Sequence, residues 1–152
     1  MNEQEYLAYD ATGLAALVRA GEVSAAQLAI CAAERAQRCG ELGAVVEWFE
    51  DSADLAGQAQ AEAPFTGVPF LIKDLVIQMQ GRRSEMGSRL AAGLAAPGDS
   101  DLMHRFRQAG LVTLGRTPTP EMGYNVATET LQAGICRNPW DVTRSPGGSS
   151  GG

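Results

Sequence analysis

Residues 67–75 read GVPFLIKDL, and the class of fold can be inferred from this stretch and its neighbours. The apolar run at 68–72 is short and follows a glycine, a pattern that predicts a buried strand. A second strand is predicted at 111–114, directly after a helix that begins at 99–101 and ends at Gly110. Strand, helix and strand in this order favour an α/β fold, in which helices cover the faces of a sheet.

The residues before this stretch predict mainly helix. Thr12 is placed to cap a short helix that ends near Gly21. The apolar stripe of this helix has the spacing of one helical face and consists of Leu14, Leu17 and Val18. Ser24 and Gln27 then have the spacing of a capping box, which predicts the start of a second helix.

This second helix is expected to end near Gly40 and to bury one face, which carries Leu28 and Cys31. Beyond it, the sequence predicts a strand at 44–49 and a helix at 52–62.

The region after residue 80 contains loops and one clear helix. Residues 81–98 predict a loop of small residues with a short helix near 88–92. The helix that follows has an apolar stripe consisting of Leu102, Phe106 and Ala109. Residues 116–152 contain no long element, so we expect them to be functional or to await partners outside these residues.

The composition excludes several functional classes. The chain has 152 residues, 45% of them hydrophobic, which is enough for a folded core. Its net charge of -6 argues against electrostatic binding to nucleic acid or to an anionic membrane. No apolar run approaches the roughly 20 residues of a membrane span, and the first residues lack a signal-peptide pattern, so we expect a cytoplasmic protein. The cysteines are odd in number and lack C-x-x-C spacing, which predicts buried free thiols and no zinc site.

Lys73 is the single lysine, beside eleven arginines. It could reach solvent or pair with Asp74 at the end of its strand. Neighbours on a strand point to opposite faces, however, so Asp74 need not neutralise it. A lysine that faces a partly closed apolar site can lose its proton, whereas an arginine cannot. Lys73 is therefore a candidate general base.

The second candidate site is the run SPGGSSGG at 145–152. It could be a flexible linker. Alternatively, its glycines would let backbone amides approach a substrate oxyanion next to Ser149 and Ser150. No phosphate-loop lysine follows, which disfavours a nucleotide site.

Residues 147–151 also fit G-x-S-x-G, the nucleophile elbow of α/β-hydrolases. That site needs a preceding strand and a later histidine, and this sequence supplies neither. His104, Asp141 and Ser149 would form a triad in another chain order. His104 is instead expected to be a partly exposed helix residue.

Several motifs taken in order resemble the N-terminal part of the amidase signature family. They are PFLIKD with Lys73, DSDLMHRFRQAGLVTLGRTPTPEMG, TET, RNPWD and GGSSGG with Ser149. The opening YLAYDATGLAALVRAGEVSAAQL is also similar to the start of that family. The resemblance implies an α/β fold with a mixed central sheet flanked by helices. Residues 1–152 would be the N-terminal segment of a single amidase domain whose remainder lies beyond residue 152.

For the chemistry, the resemblance implies a Ser-cisSer-Lys triad that hydrolyses carboxylic amides without a cofactor or metal. Lys73 matches the family's base, and Ser149 matches the bridging serine that follows a cis peptide. The nucleophilic serine belongs to a later motif of the family, and Ser150 does not match it. The segment alone would therefore be inactive.

Supporting residues follow from the same resemblance. Met122, Gly123, Tyr124 and Asn125 would line the acyl pocket, although a packing role is equally open. Gly147, Gly148, Ser150 and Gly151 would support Ser149. Arg116 and Pro118 stand where the family usually has Lys and Asn, a departure that concerns substrate details and leaves the reaction class unchanged.

The expected function is hydrolysis of a small linear or cyclic amide. One alternative is a protein like the A subunit of the amidotransferase that uses misacylated tRNA, although PTPEMG looks less like that subgroup. The other alternative is a non-catalytic fragment or binding module. As partners we expect a small-molecule amide, no directly bound nucleic acid and no membrane, and we leave a homodimer open.

Overall fold

The computed structural model describes residues 1–57 and 61–152. In these ranges the helices are α1 (Glu3–Leu7), α2 (Ala11–Arg19), α3 (Ala25–Arg38), α4 (Ser52–Gly57) and α5 (Asp101–Gln108). The strands are β1 (Glu47–Trp48), β2 (Pro69–Lys73), β3 (Val112–Thr117), β4 (Glu129–Thr130) and β5 (Gly134–Ile135). Short 3₁₀ turns lie at Gly40–Leu42, Arg89–Ala91 and Glu121–Gly123.

A three-stranded sheet has the order β1-β3-β2. Hydrogen bonds between β2 and β3 advance in the same chain direction, whereas those between β1 and β3 run in opposite directions. The donor and acceptor pairs are Val112 to Val68, Asp74 to Thr117, Phe49 to Leu114 and Val46 to Arg116. The sheet is therefore mixed, and the predicted α/β class with a mixed sheet is confirmed. β4 and β5 form a separate antiparallel pair.

The capping of the early helices confirms one prediction and corrects another. Asp10, and not Thr12, caps α2, because the Asp10 carboxylate accepts a hydrogen bond from the Gly13 N–H over 2.8 Å. The predicted capping box of α3 is confirmed. The Ser24 N–H donates to the Gln27 side chain over 2.9 Å, and the Gln27 N–H donates to the Ser24 hydroxyl over 3.2 Å.

The strands differ from the sequence prediction mainly at their ends. β1 has only two residues, where a strand was expected over 44–49, and β2 begins and ends one residue later than 68–72. β3 extends three residues beyond the predicted end at Leu114. Pairing with neighbouring strands fixes the length of each strand, and local sequence does not report this pairing.

The predicted helix at 52–62 corresponds to α4, which ends at Gly57. Residues 58–60 lie outside the described residues, and Ala61 and Glu62 lie in a turn. The short helix expected near 88–92 is a 3₁₀ turn over Arg89–Ala91.

One position of the predicted buried stripe of α5 was wrong. Leu102 is 43% exposed, whereas its neighbour Met103 is completely buried. Adjacent helix positions are rotated by about 100°, so a shift of one residue moves the buried stripe to another side chain. Phe106 belongs to the packed stripe as expected, with its ring edge against Phe70 at a centroid distance of 4.8 Å. The helix ends before Gly110, whose φ is 87°.

The chain divides into two compact units. The first consists of Met1–Arg38, Trp48–Leu71 and His104–Gly115, and the second of Cys39–Glu47, Ile72–Met103 and Arg116–Gly152. The first unit buries two apolar clusters, one built around Leu14, Leu28 and Val68 and the other around Ala29, Val112 and Leu114. Within the described ranges no helix is long and apolar enough to cross a bilayer.

Candidate active site

Lys73 and Ser149 meet in the second unit. Lys73 is the last residue of β2 and follows Ile72, whose side chain is buried. Alternation along the strand turns Lys73 away from the side that Ile72 packs against. Its Nζ donates a hydrogen bond to the Ser149 hydroxyl over 2.8 Å and another to the Ser150 hydroxyl over 2.9 Å. Burial lowers the pKa of Lys73 below its ordinary value, because desolvation disfavours the charged amine.

Asp74 makes its contacts elsewhere. Its carboxylate accepts hydrogen bonds from the N–H groups of Glu85 and Gly87, over 2.8 and 3.1 Å. It also forms an ion pair of 2.6 Å with Arg116. The expectation that Asp74 need not neutralise Lys73 therefore agrees with the geometry, since Arg116 takes up this carboxylate.

Arg116 is the centre of a buried charge cluster. The residue is 3% exposed, and each of its three guanidinium nitrogens contacts a different carboxylate, those of Glu47, Asp74 and Glu85. Burial alone would lower the pKa of Arg116, but hydrogen bonds to Glu85 and Glu47 raise it overall. Burial alone would raise the pKa of Glu85, but the Gly93 N–H and Arg116 hold it below its ordinary value. The planar fork of an arginine suits three simultaneous partners.

The loop that carries Ser149 has an unusual backbone. The peptide bond between Gly148 and Ser149 is cis, and Gly147 has a φ of 96°. A Cβ on Gly148 would lie 2.9 Å from the carbonyl oxygen of Asn125, closer than real Cβ atoms approach backbone. The glycines of 147–152 therefore permit a path that residues with side chains would not follow.

The stretch Met122–Asn125 lies beside this loop only in part. A Cβ on Gly123 would come within 3.9 Å of the Ser149 Cβ, and the Asn125 carbonyl faces Gly148. The Met122 N–H donates to the Met86 carbonyl over 2.8 Å. Tyr124 is 93% exposed. Gly123 and Asn125 therefore lie beside the Ser149 loop.

The competing triad would use His104 and Asp141 together with Ser149. His104 is exposed on α5 in the first unit, as expected for a surface helix residue. Asp141 accepts hydrogen bonds from Thr143 and Arg144, and the bonds from Thr143 hold its pKa below the ordinary value.

The cysteines are free thiols, as predicted, but the prediction that they are buried holds for only two of the three. Cys31 and Cys136 are buried, and Cys39 is half-buried. Among the described residues, no group of three or more His, Cys, Asp or Glu side chains is arranged to hold a metal ion.

Sequence reasoning missed two features of the site. One is the set of carboxylates around Arg116, because Glu47 and Glu85 come from distant segments. The other is a set of buried donors that bond to the carbonyls of the Ser149 loop, namely Thr119, Thr128 and Cys136. Thr119 and Thr128 lie in two of the quoted motifs, GRTPTPEMG and TET, whereas Cys136 lies in none of them.

The contact between Lys73 and Ser149 defines what the site can do. An amine with a lowered pKa, hydrogen bonded to a hydroxyl, can take up the proton of that hydroxyl once it is neutral. Paired serines on a glycine-rich loop are suited to passing a proton onward to a third group.

Comparisons with known proteins by family profile, by sequence and by structure all find similar proteins. The profile of the family described as Amidase matches residues 28–152. The chain is 42% identical over 146 residues to the 6-aminohexanoate-cyclic-dimer hydrolase of Paenarthrobacter ureafaciens, covering 94% of this chain and 29% of that protein. It is 38% identical over 149 residues to the A subunit of the glutamyl-tRNA(Gln) amidotransferase of Chromohalobacter salexigens, covering 93% of this chain and 30% of that protein.

A solved structure of a 6-aminohexanoate cyclic dimer hydrolase complexed with substrate is also similar. It superposes with a TM-score of 0.88 at 40% identity, over 93% of this chain and 30% of the other. The chain therefore spans about 30% of the length of the relatives it matches.

Proposed function

The chain belongs to the amidase signature family, and on this premise we propose that the whole protein hydrolyses a small linear or cyclic carboxylic amide. One observation carries the proposal, the 2.8 Å hydrogen bond between Lys73 Nζ and the Ser149 hydroxyl. Similarity to a protein named as a 6-aminohexanoate-cyclic-dimer hydrolase makes that cyclic amide the first substrate to test.

The proposed mechanism is a proton relay. Neutral Lys73 takes the proton of the Ser149 hydroxyl, and Ser149 takes the proton of a nucleophilic serine that lies outside these 152 residues. The nucleophile's oxygen attacks the carbonyl carbon of the amide. As the C–N bond breaks, Ser149 returns a proton to the leaving amine. Water then hydrolyses the acyl-enzyme by the same relay.

Two corollaries belong to this proposal. We expect the 152-residue segment alone to be inactive, because the proposed relay takes its base and bridging serine from these residues and its nucleophile from a later motif of the family. The reaction needs no metal or organic cofactor, because Lys73, Ser149 and the nucleophilic serine accept and return every proton it involves.

The test is hydrolysis by the whole protein. The 6-aminohexanoate cyclic dimer and a simple linear amide such as hexanamide would be supplied, and release of amine or ammonia would be followed. Lys73→Ala and Ser149→Ala should each abolish turnover while the circular dichroism spectrum is preserved. His104→Ala is the matched control, because it tests the competing triad and should leave turnover unchanged. Normal turnover by Lys73→Ala would refute the assignment.

A second candidate function is that of an amidotransferase component which uses misacylated tRNA. The 38% identity to the A subunit of a glutamyl-tRNA(Gln) amidotransferase favours it. A tightly bound partner protein on purification, with glutamine as the hydrolysed amide, would support this function over a free amidase. No hydrolysis of any of these amides by a folded whole protein would instead indicate a non-catalytic binding module.

A further inference from the structure

Three buried side chains donate hydrogen bonds to the backbone of the Ser149 loop. The donor and acceptor residues are Thr128 and Gly147 at 2.8 Å, Thr119 and Ser149 at 3.2 Å, and Cys136 and Gly151 at 3.1 Å. The three donors are 2%, 0% and 3% exposed, in the same order. They come from separate stretches of the chain and bond to the carbonyls of alternate loop residues.

The loop depends on such outside contacts because of its composition. Glycine has the largest backbone freedom of any residue, and the run GGSSGG contains four glycines and no apolar side chain. Its two serines direct their hydroxyls to Lys73. The carbonyl bonds from buried donors are therefore the contacts suited to fix the loop's backbone.

Thr119 holds the residue that matters most for the chemistry. Its hydroxyl bonds to the carbonyl of Ser149, whose own hydroxyl contacts Lys73. At the end of β3, the carbonyl of Thr117 accepts the N–H of Asp74 over 3.0 Å, and this anchors the residue next to Lys73. One short segment, 117–119, thus bonds both to Ser149 and to Asp74, the residue that follows Lys73.

We propose that Thr119 is a positioning residue that sets Ser149 in line with Lys73, while Thr128 and Cys136 hold the two ends of the same loop. The proposal rests on the amide hydrolysis proposed above. A misplacement of about 1 Å in a catalytic group can reduce the rate about 100-fold, so the loop backbone has to be held closely.

The chain offers a matched control at Thr113. This residue is a threonine of β3, is 3% exposed, and its hydroxyl has no hydrogen-bond partner among the described residues. Replacing either threonine by valine removes a buried hydroxyl and keeps the shape of the side chain. Only at Thr119 does the replacement remove a bond to the loop.

The experiment measures kcat and KM of the whole protein with the 6-aminohexanoate cyclic dimer or hexanamide. Thr119→Val should lower kcat about tenfold or more and leave KM within about twofold, since the lost contact acts on the chemical step. Thr119→Ser keeps the hydroxyl and should retain at least about half of kcat. Thr113→Val should match the wild-type protein. An unchanged kcat in Thr119→Val, or an equal loss in Thr119→Ser, would overturn the positioning role.

A second readout does not depend on hydrolysis. Amide hydrogen exchange of residues 147–152 should be at least about tenfold faster in Thr119→Val than in the wild-type protein or Thr113→Val, because the loop opens more often. If the wild-type protein hydrolyses no amide, the proposed function fails and exchange alone decides the role of Thr119. Unchanged exchange in Thr119→Val overturns the positioning role in either case.

Discussion

The side-chain nitrogen of Lys73 lies 2.8 Å from the hydroxyl oxygen of Ser149, although 76 positions separate the two residues in the chain. Lys73 is the last residue of a strand, whereas Ser149 lies in a glycine-rich loop, so different local structures position the two residues. The partner of the neighbouring Asp74 is Arg116, which leaves the Lys73 amine to the serines. Because the two cations have separate partners, substitutions at Lys73 and at Arg116 should have different effects.

The first prediction concerns the proton of Lys73. Lys73→Arg keeps the positive charge but cannot release a proton at working pH, so kcat/KM should fall about 10²- to 10⁴-fold, the usual range for a general base. Amide turnover by the whole protein measures this effect. Arg144→Lys is a control on the exposed surface and should be neutral. Near-normal turnover in Lys73→Arg would show that the charge, and not the base, is required.

The pH–rate profile of the wild-type protein also tests whether Lys73 acts as the base. A base must be neutral to act, so kcat/KM should rise with pH as Lys73 loses its proton. Because burial lowers the pKa of Lys73, the midpoint of this rise should lie below the ordinary lysine value of about 10.4. If kcat/KM falls or stays level at every pH below the ordinary lysine pKa, the assignment of Lys73 as the base is contradicted.

The second prediction concerns the buried cluster of Arg116. Arg116→Met leaves three carboxylates without their shared cation, and breaking a buried pair in this way costs about 3–5 kcal/mol of unfolding free energy. Urea denaturation measures the loss. Arg144→Met is the matched control, because its ion pair with Asp141 is exposed to solvent and such pairs contribute little to stability. Equal losses in the two variants would mean that the cluster does not stabilise the fold.

The third prediction concerns acid stability. The pKa of Glu85 is lower in the folded protein than in the unfolded chain, so the ionised side chain stabilises the fold above its unfolded value of about 4.5. This stability is lost as the pH falls through the folded pKa. Glu85→Gln cannot titrate, and its unfolding free energy should therefore depend less on pH below about 4.5 than that of the wild-type protein. Parallel curves for the two proteins would exclude this role.

The fourth prediction concerns the backbone of the Ser149 loop. Gly148→Ala would place a Cβ 2.9 Å from the Asn125 carbonyl oxygen, and the loop would have to shift away. A shift of about 1 Å at Ser149 should lower kcat about 100-fold. Gly98→Ala is the control, because a Cβ there would meet nothing within 4 Å. Full activity in Gly148→Ala would show that the loop tolerates displacement.

Much of the fold could be predicted because its signals are local. The capping box of Ser24 and Gln27 and the apolar run before Lys73 depend on neighbours in sequence, and both are present as expected. The cap of α2 and one position of the buried stripe of α5 were predicted wrongly. In each case two residues close together in the chain satisfy the pattern, and packing or loop geometry selects one of them.

The α/β class, the family and the two motifs that carry Lys73 and Ser149 could be read from the amino-acid sequence, because each depends on short contiguous stretches. The contact between these two residues, the ion pair of Asp74 with Arg116 and the bond from Thr119 to the Ser149 carbonyl became visible in the folded chain alone. These contacts join residues far apart in the chain. Their formation depends on strand pairing and burial across the whole fold, which no local pattern records.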